Sequence, residues 1–431
     1  MRAVCALLAA GLLAVGCTDG RGADESPGAA APESATVGLP TPADPGTVLR
    51  IGTLLPQTGD LAHLGPPQVA GVDLAVEEIN AAGGVLGADV ELDEADSGDA
   101  AGGVAAASVE RLLAAGADVV IGAAASDVSL TVIDTIIGAG VVQFSPANTA
   151  PDFTDYDDDG LYFRTAPSDV LQGRVLAEVI VADGADRVAV LARRDAYGEG
   201  LARFLGDGLQ AAAGAMAGDP VLYDPAAPAF DAEIQAVVAT EPDAIAIIGF
   251  DETARIIQGL IGVGWGPAEV LLYGADGNMS NGLYGGVTDP GVLEGFRGTT
   301  PLVRLPQGFR RRLLAIDPNL ADFAYAAEAY DAVTVAALAA VTAGSDAGTD
   351  LAERIPGVTR GGTTCTDFRS CRDLLAEGED IDYDGVSGPI EMDDAGDRTQ
   401  ASYAILTFGP DNRVDESAIE YRIVGLPEEA R

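Results

Sequence analysis

The chain has 431 residues, of which 48% are hydrophobic, and it carries a formal net charge of −43. A surface this acidic repels nucleic acid and anionic lipid, so the composition excludes a nucleic-acid binder and favours a protein kept soluble by its own charge. All 24 basic residues are arginines, which also excludes sites that need lysine, such as a Walker A loop, a Schiff base or a Ser-Lys dyad.

The N-terminal residues are typical of an export signal, because a basic start precedes an apolar run over residues 3–15. This run is too short to remain in a bilayer as a spanning helix. Its Val-Gly-Cys ending is similar to a lipobox, in which the cysteine is lipidated and becomes the new N-terminus. We therefore predict a signal peptide over 1–16 and a lipid anchor at Cys17. An ordinary signal peptidase site is the alternative, since Ala14 stands where a lipobox usually has leucine.

Residues 17–47 are predicted to be a disordered tether behind the anchor. They consist mainly of Gly, Ala, Ser, Pro, Asp and Glu, and so few bulky side chains cannot offset the entropy lost on ordering. No later stretch is both long and uncharged enough to predict a membrane helix. The rest of the chain is expected to form a soluble body of about two domains.

From Arg50 onward, short β-branched runs alternate with longer Ala-rich amphipathic stretches, which is the pattern of repeated βαβ units and a mainly parallel sheet. The first series predicts strands and helices that alternate in the order 50–56, 67–84, 88–96, 100–115, 118–123, a helix from 127, and 141–146.

A second, similar series begins after an Asp- and Pro-marked crossing at about 150–168. It predicts strands at 186–193, 243–250 and 269–276, with helices between them, and another crossing near 295–300. Two α/β lobes joined by several crossings leave a cleft at the carboxyl ends of their strands, where ligands bind.

Two cysteines of the predicted body, Cys365 and Cys371 in "CTDFRSC", are expected to form a small-loop disulfide in an oxidising compartment. A zinc site needs more ligands than this pair and the single histidine, His63, supply. The same lone histidine would have to serve any Ser-His-Asp triad, and no G-x-S-x-G elbow accompanies it. The sequence therefore argues against an enzyme.

Eight segments occur in order with ordinary spacing: "IGTLLPQTGDLAHLG", "GVDLAVEEINAAGGVLG", "VVIGAAASDVS", "SPANTAP", "RTAPSDVLQG", "RRDAYGEGLA", "YGADG" and "AYDAVTVAALA". Together they resemble the branched-chain amino-acid-type (leucine/isoleucine/valine-binding-like) solute-binding proteins of ABC importers. The resemblance covers nearly everything from Val48 to about Gly409.

This resemblance implies an α/β fold of two Rossmann-like lobes with mainly parallel sheets, joined by three hinge crossings, which is the type I periplasmic-binding fold. Lobe 1 is expected at 48–166 plus 299–388, and lobe 2 at 167–298 plus 389–431. The family is not catalytic and uses no cofactor; its lobes close around a solute by hinge motion. The implied protein is a monomer on the outer face of the cytoplasmic membrane, with an ABC permease and its ATPase as partners.

The resemblance also implies which residues hold the carboxylate of an amino-acid ligand. Ser126 and Thr149 match hydroxyls at loop-to-helix junctions of the first lobe, where a helix N-terminus favours an anion. Ser126 follows a predicted strand and Thr149 follows "FSPAN". Ordinary N-cap or loop roles are the alternatives for both residues.

For the ammonium group, Asp276 in "LLYGADG" matches a family acid, although it is one carbon shorter than the glutamate often found there. A solvated turn is the alternative for Asp276. Tyr197 and Tyr330 match aromatic residues of the cleft, with a core position as the alternative for Tyr330. Phe250 replaces a family tyrosine, and this change suggests a pocket that differs in polarity from that of a leucine carrier.

One pattern falls outside the resemblance: Asp380, Asp382 and Asp384, followed by Gly385 and Glu391, satisfy the calcium-loop spacing D-x-D-x-D-G-x5-E. Its context does not favour calcium, because no clear helix follows Glu391 and a solvated turn explains the aspartates equally well. The sequence predicts no other metal site.

The favoured function is an extracytoplasmic receptor that captures a small polar solute, an amino acid by expectation, and delivers it to an ABC importer. An amide, a urea-like compound or a small aromatic acid is an alternative ligand. A surface sensor or a calcium-dependent interaction domain on the same fold is the alternative function.

Overall fold

Two large sheets, five and eight strands wide, organise the residues that the structure describes, 48–284 and 289–425, in a computed structural model of the protein. The predicted signal peptide, Cys17 and the tether lie outside the described residues. The described residues belong to one compact unit.

The five-stranded sheet is entirely parallel, in the order β2-β1-β3-β4-β5. Its central strands are apolar and buried on both faces, as expected where helices cover both sides of a parallel sheet. The strands are β1 Arg50–Leu55, β2 Glu91–Asp96, β3 Val119–Gly122, β4 Val142–Ser145 and β5 Tyr162–Arg164.

The eight-stranded sheet runs β16-β15-β11-β10-β9-β6-β7, with β8 also paired to β6. The pairs from β6 to β11 are parallel, whereas β15 and β16 add an antiparallel edge. A third, three-stranded sheet is formed by β12 to β14. These strands are, in chain order, β6 Arg187–Arg193, β7 Ala215–Met216, β8 Val221–Tyr223, β9 Ala244–Ile248, β10 Leu271–Gly274, β11 Arg297–Pro301, β12 Thr363–Cys365, β13 Ile381–Gly385, β14 Gly388–Pro389, β15 Gln400–Thr407 and β16 Glu420–Gly425.

Twelve α-helices connect and cover the strands in the described ranges. Several begin on side-chain caps that the sequence provides; for example, Asp195 accepts from the backbone N–H of Gly198 at 2.8 Å. The helices are α1 Gly65–Ala81, α2 Val104–Ala114, α3 Ser126–Gly138, α4 Asp169–Ala182, α5 Ala196–Ala211, α6 Asp231–Val238, α7 Thr253–Gly262, α8 Gln307–Ile316, α9 Ala326–Ala343, α10 Gly348–Ala352, α11 Ile355–Val358 and α12 Phe368–Ala376.

The chain passes between the two large sheets three times: after β5, between β11 and α8, and between β14 and β15. The α/β fold class with mainly parallel sheets is therefore confirmed. We call the part built on the five-stranded sheet, with α8 to α12, the first lobe, and the part built on the eight-stranded sheet the second lobe. The residue bounds given above for the lobes stay a prediction.

Helix α9 is the core helix of the first lobe. It is long and apolar enough to cross a membrane by composition, but 83% of its apolar window is buried inside the protein, which is how a core helix behaves. A side chain at Gly71 of α1 would place its Cβ 2.2 Å from the Ala326 carbonyl oxygen. Glycine therefore lets α1 and α9 pack closely.

Cys365 and Cys371 form a disulfide between β12 and α12. Both cysteines are buried within the hydrophobic core of the first lobe. The pairing predicted from the sequence is confirmed.

The segment with the calcium-loop spacing, 380–391, contains a strand in place of a loop. Residues Ile381–Gly385 are strand β13, in which Ile381 and Tyr383 face the core and the aspartates alternate with them. An extended strand cannot wrap its carboxylates around an ion as a calcium loop does. No group of three acidic, histidine or cysteine side chains suited to a metal occurs in 48–284 and 289–425.

Candidate functional site

Five of the six predicted ligand residues converge between the lobes, at the carboxyl ends of the parallel strands. They surround a small cavity of about 10 Å³, which is room for about one water molecule. The cavity is lined by Leu61, Leu64, Ala124, Ala125, Ser126, Ala147, Thr149, Tyr197, Phe250, Asp276, Gly277 and Tyr325.

The first lobe contributes hydroxyls and a helix N-terminus. Ser126 is the first residue of α3, and Ala125 occupies the N-cap position without a side-chain cap. The Ser126 hydroxyl accepts from the backbone N–H of Ala150 at 3.3 Å, so it is not the N-cap that the alternative expected. The Asp127 carboxyl accepts from the backbone N–H groups of Asp127 and Val128, but no side chain caps the helix from the N-cap position. The positive end of α3 therefore still borders the cavity at Ala125 and Ser126, where an anion is favoured.

Thr149 stands on the loop after β4, and its hydroxyl donates to Asp169 Oδ2 at 3.1 Å. The loop is fixed by Arg164, a fully buried residue that the sequence analysis missed. Its Nη1 donates to the carbonyl oxygens of Ala150 at 2.7 Å and Asn148 at 3.3 Å, on either side of Thr149. Its charge is balanced by Asp397, whose Oδ2 lies 2.9 Å from Nη2.

The second lobe contributes Asp276, directly after β10. Its carboxylate accepts three hydrogen bonds: Oδ1 from Gln172 Nε2 and Tyr197 Oη, both at 2.9 Å, and Oδ2 from Tyr325 Oη at 2.6 Å. It is 6% exposed, so the solvated turn that the alternative expected is excluded. No arginine forms an ion pair with Asp276 in the described ranges.

A second buried carboxyl, Asp169 at the start of α4, lies near Asp276. Burial raises the pKa of Asp169 well above its usual value, and the neighbouring Asp276 carboxylate raises it further. Burial also raises the pKa of Asp276, although its donors, Tyr325 first, act in the opposite direction. The charge of Arg164 partly offsets the burial of Asp169, whereas Asp276 forms no ion pair with an arginine in 48–284 and 289–425. The buried Asp276 carboxylate therefore makes the second-lobe side of the cavity a place where a cation is stabilised.

Aromatic rings form one wall. Tyr197 and Phe250 stack with their ring centroids 5.4 Å apart at 23°. A side chain at Gly277 would place its Cβ 2.6 Å from Phe250 Cδ1, so this glycine gives the Phe250 ring room against the Asp276 turn.

Tyr330 does not reach the site. Its hydroxyl donates to Glu78 Oε2 at 2.7 Å, and its ring meets Phe309 edge-on at 5.3 Å, so it packs between α9, α1 and α8. Tyr330 thus occupies the core position given above as its alternative, because the helical spacing of α9 turns this residue toward the core. Tyr325, five residues earlier, takes the place beside Asp276. The backbone φ of Tyr325, 58°, is unusual for a residue other than glycine. No sequence pattern predicts this conformation.

The comparison with known families gives one match over most of the chain: residues 48–412 match the family described as periplasmic binding protein. The "Chemotactic signal transduction system substrate-binding protein BasB" of Halobacterium salinarum is 28% identical over 359 residues, which cover 80% of this chain and 84% of that protein.

Solved structures share the fold. The leucine-binding protein LivK of Thermotoga maritima superposes with a TM-score of 0.71 at 24% identity, over 88% of this chain and 99% of that one. A solute-binding protein from R. palustris, in complex with 4-hydroxybenzoate, superposes with a TM-score of 0.70 at 17% identity, over 88% of this chain and 98% of that one. The predicted type I periplasmic-binding fold and the resemblance to branched-chain amino-acid-type binding proteins are confirmed, and the relatives are solute-binding proteins. The chain belongs to the periplasmic binding protein family, whose members act outside the cytoplasm.

Proposed function

We propose that this protein is a receptor that captures an α-amino acid between its lobes and delivers it to an ABC importer. The observation that carries the proposal is the polarity of the cavity: a hydroxyl and the α3 N-terminus lie on one side, and the buried carboxylate of Asp276 lies on the other. A zwitterion presents the complementary charges to these two sides.

An ammonium group would pair with Asp276 by replacing one of its present donors. The carboxylate accepts from Gln172, Tyr197 and Tyr325, and of these Tyr325 belongs to the other lobe and would withdraw when the cleft opens. On the other side, the Ser126 hydroxyl, which accepts from Ala150 and keeps its own proton to donate, and the backbone N–H groups at the start of α3 are suited to a carboxylate. The Thr149 hydroxyl would join them by turning its proton away from Asp169. The apolar side chains that line the cavity would contact the solute's side chain: Leu61, Leu64 and Phe250.

Binding requires the lobes to separate first. A cavity of about 10 Å³ holds no more than one water, so a solute enters only when the cleft opens. Opening by hinge motion at the three crossings is the movement that two-lobed binding proteins use.

The test is a thermal-shift screen of the full-length protein against the proteinogenic amino acids, neutral amides, urea and 4-hydroxybenzoate, followed by calorimetric titration of each hit. We expect stabilisation by at least one α-amino acid and none by its decarboxylated amine. Stabilisation by an amide or by 4-hydroxybenzoate alone would refute the amino-acid ligand and favour the alternative ligand classes.

A sensor is the second candidate function, because the relative that aligns over most of both chains is named as a substrate-binding protein of chemotactic signal transduction. The same cleft would serve it, and the partner would be a membrane transducer in place of a permease. Uptake of the radiolabelled ligand by cells separates the two: loss of uptake on deletion supports the importer, and loss of taxis with unchanged uptake supports the sensor.

We also propose that Cys17 carries the lipid anchor that keeps the receptor at the outer face of the membrane. This residue lies outside the described residues, and the support is the sequence motif alone. Replacing it by Cys17→Ser should move the protein from the detergent phase to the aqueous phase in a phase-partition experiment. Retention in the detergent phase would count against the anchor.

A further inference from the structure

A buried arginine of the second lobe contacts an acid of the first lobe beside the ligand cavity. Arg193 is the last residue of β6 and is 4% exposed. Its Nη2 lies 3.0 Å from Oδ2 of Asp60, which belongs to the loop after β1. The contact therefore joins the two lobes across the cleft.

The same guanidinium is held in its own lobe by two further carboxylates. Its Nε donates to Asp195 Oδ2, and its Nη1 donates to Glu252 Oε1 at 3.4 Å. The Arg193 charge is therefore still balanced when the lobes part and Asp60 withdraws. This arrangement suits a contact that is made and broken, because opening leaves no unpaired buried arginine.

Arg193 also supports the aromatic wall of the cavity. Its Cζ lies 3.6 Å from the centre of the Phe250 ring, within the range of a cation–π contact. Phe250 also stacks on Tyr197, whose hydroxyl donates to Asp276. One guanidinium thus touches both the ring that lines the cavity and the acid that approaches on closure.

We propose that Arg193 is a positioning residue of the ligand site, which holds Phe250 against Tyr197 and, through Asp60, keeps the closed cleft from reopening. The proposal rests on the proposed solute-binding function for its effect on the ligand, but its effect on the shape of the protein does not. A contact formed only on closure slows release more than it speeds capture, since most effects of interface contacts appear in the dissociation rate.

The variant Asp60→Ala removes the contact across the cleft while leaving Arg193 its two partners, so the fold is expected to survive. Small-angle X-ray scattering of the ligand-free, full-length protein should give a larger radius of gyration for Asp60→Ala than for the wild type. In stopped flow, L-leucine should leave the variant about tenfold faster or more, with a capture rate changed less than threefold.

Two further variants keep the test specific. Asp60→Asn retains an oxygen that accepts from Arg193 and should restore the slower release at least in part. Arg174→Gln removes an exposed ion pair with Glu178 on α4 and should change neither quantity. If Asp60→Ala leaves the radius of gyration unchanged and the release rate within twofold of the wild type, the proposal is wrong. If the wild type binds no L-leucine, the scattering comparison alone still decides it, and the amino-acid function is judged separately by the ligand screen.

Discussion

Glu328 on α9 is a buried acid whose replacement should change how the stability of the protein depends on pH. The side chain is 2% exposed, and its Oε2 has no hydrogen-bond partner in the described part of the chain. Burial raises its pKa from 4.5 to about 8, although the nearby Arg398 acts in the opposite direction. A raised pKa in the folded state means that stability is full below pH 4.5 and declines as the pH rises toward and through 8.

The size of the effect follows from those two values. Each tenfold change in an ionisation constant corresponds to 1.36 kcal/mol, so holding this carboxyl in the folded protein costs about 3 kcal/mol more at pH 7 than at pH 4. Glu328→Gln cannot ionise and avoids this cost. Relative to the wild type, the free energy of unfolding of the variant should therefore improve by about 3 kcal/mol between pH 4 and pH 7.

Urea unfolding of both proteins at pH 4 and pH 7 measures this change, and the comparison cancels any constant cost of the buried amide. Glu353→Gln, at an exposed position after α10, is the matched control and should show a change below about 0.5 kcal/mol. A difference between Glu328→Gln and the wild type that stays the same within about 1 kcal/mol at both pH values would falsify the reasoning, because Glu328 would then ionise as freely in the folded protein as in the unfolded one.

Three further predictions concern the site and the charge. Asp276→Asn should lower the affinity for the amino acid found in the screen by about 100-fold, because it removes a buried charge that pairs with the ammonium; a calorimetric loss below fivefold would contradict that role. In the same titration, Tyr330→Phe should leave the affinity within about twofold of the wild type, whereas Tyr325→Phe should change it by more. A larger change for Tyr330→Phe than for Tyr325→Phe would show that Tyr330 is the ligand residue. Raising the salt concentration from 0.1 to 1 M should raise the thermal midpoint of the protein, whose formal charge is −43, because the Debye length falls from about 10 to about 3 Å and self-repulsion is screened. A midpoint that falls or does not move in scanning calorimetry would oppose this.

Much of the fold could be predicted because its signals are local. Short β-branched runs such as 119–122 and 244–248 are buried on both faces, and this burial appears in the sequence as uninterrupted apolar runs between helices. The short strand β5 and the antiparallel edge, β15 and β16, were not predicted. They have no such alternation with helices, and β15 is placed by pairing with β11, which is about a hundred residues earlier.

The site could be predicted where function and local structure coincide. Ser126 and Thr149 follow strands, and strand ends meet in the cleft. Arg164, Asp169 and Gln172 were overlooked as individual residues, although "RTAPSDVLQG" contains all three. Their roles depend on burial among partners from distant segments, such as Asp397 for Arg164, and nothing in the local pattern reveals such partners.

The calcium-loop pattern did not correspond to a loop, because a match in spacing says nothing about which residues are buried. Its spacing is purely local, and 67 acidic residues in the chain make a chance match easy. Whether alternating aspartates form a loop or one face of a strand is decided by the apolar residues between them. Ile381 and Tyr383 are buried in the core, and their burial favours a strand over a loop in this segment.

In the closed cleft, the hydroxyl of Tyr325 competes with the ligand for the carboxylate of Asp276. It belongs to the first lobe and donates to Asp276 of the second at 2.6 Å, so the protein already has a donor where an incoming ammonium would act. The binding free energy that a solute gains from Asp276 is therefore only the difference between its own contact and that of Tyr325. This difference is smaller for neutral, weakly donating molecules than for cations. Selectivity for cationic groups would then come partly from the hydrogen bond between Tyr325 and Asp276, which forms within the protein.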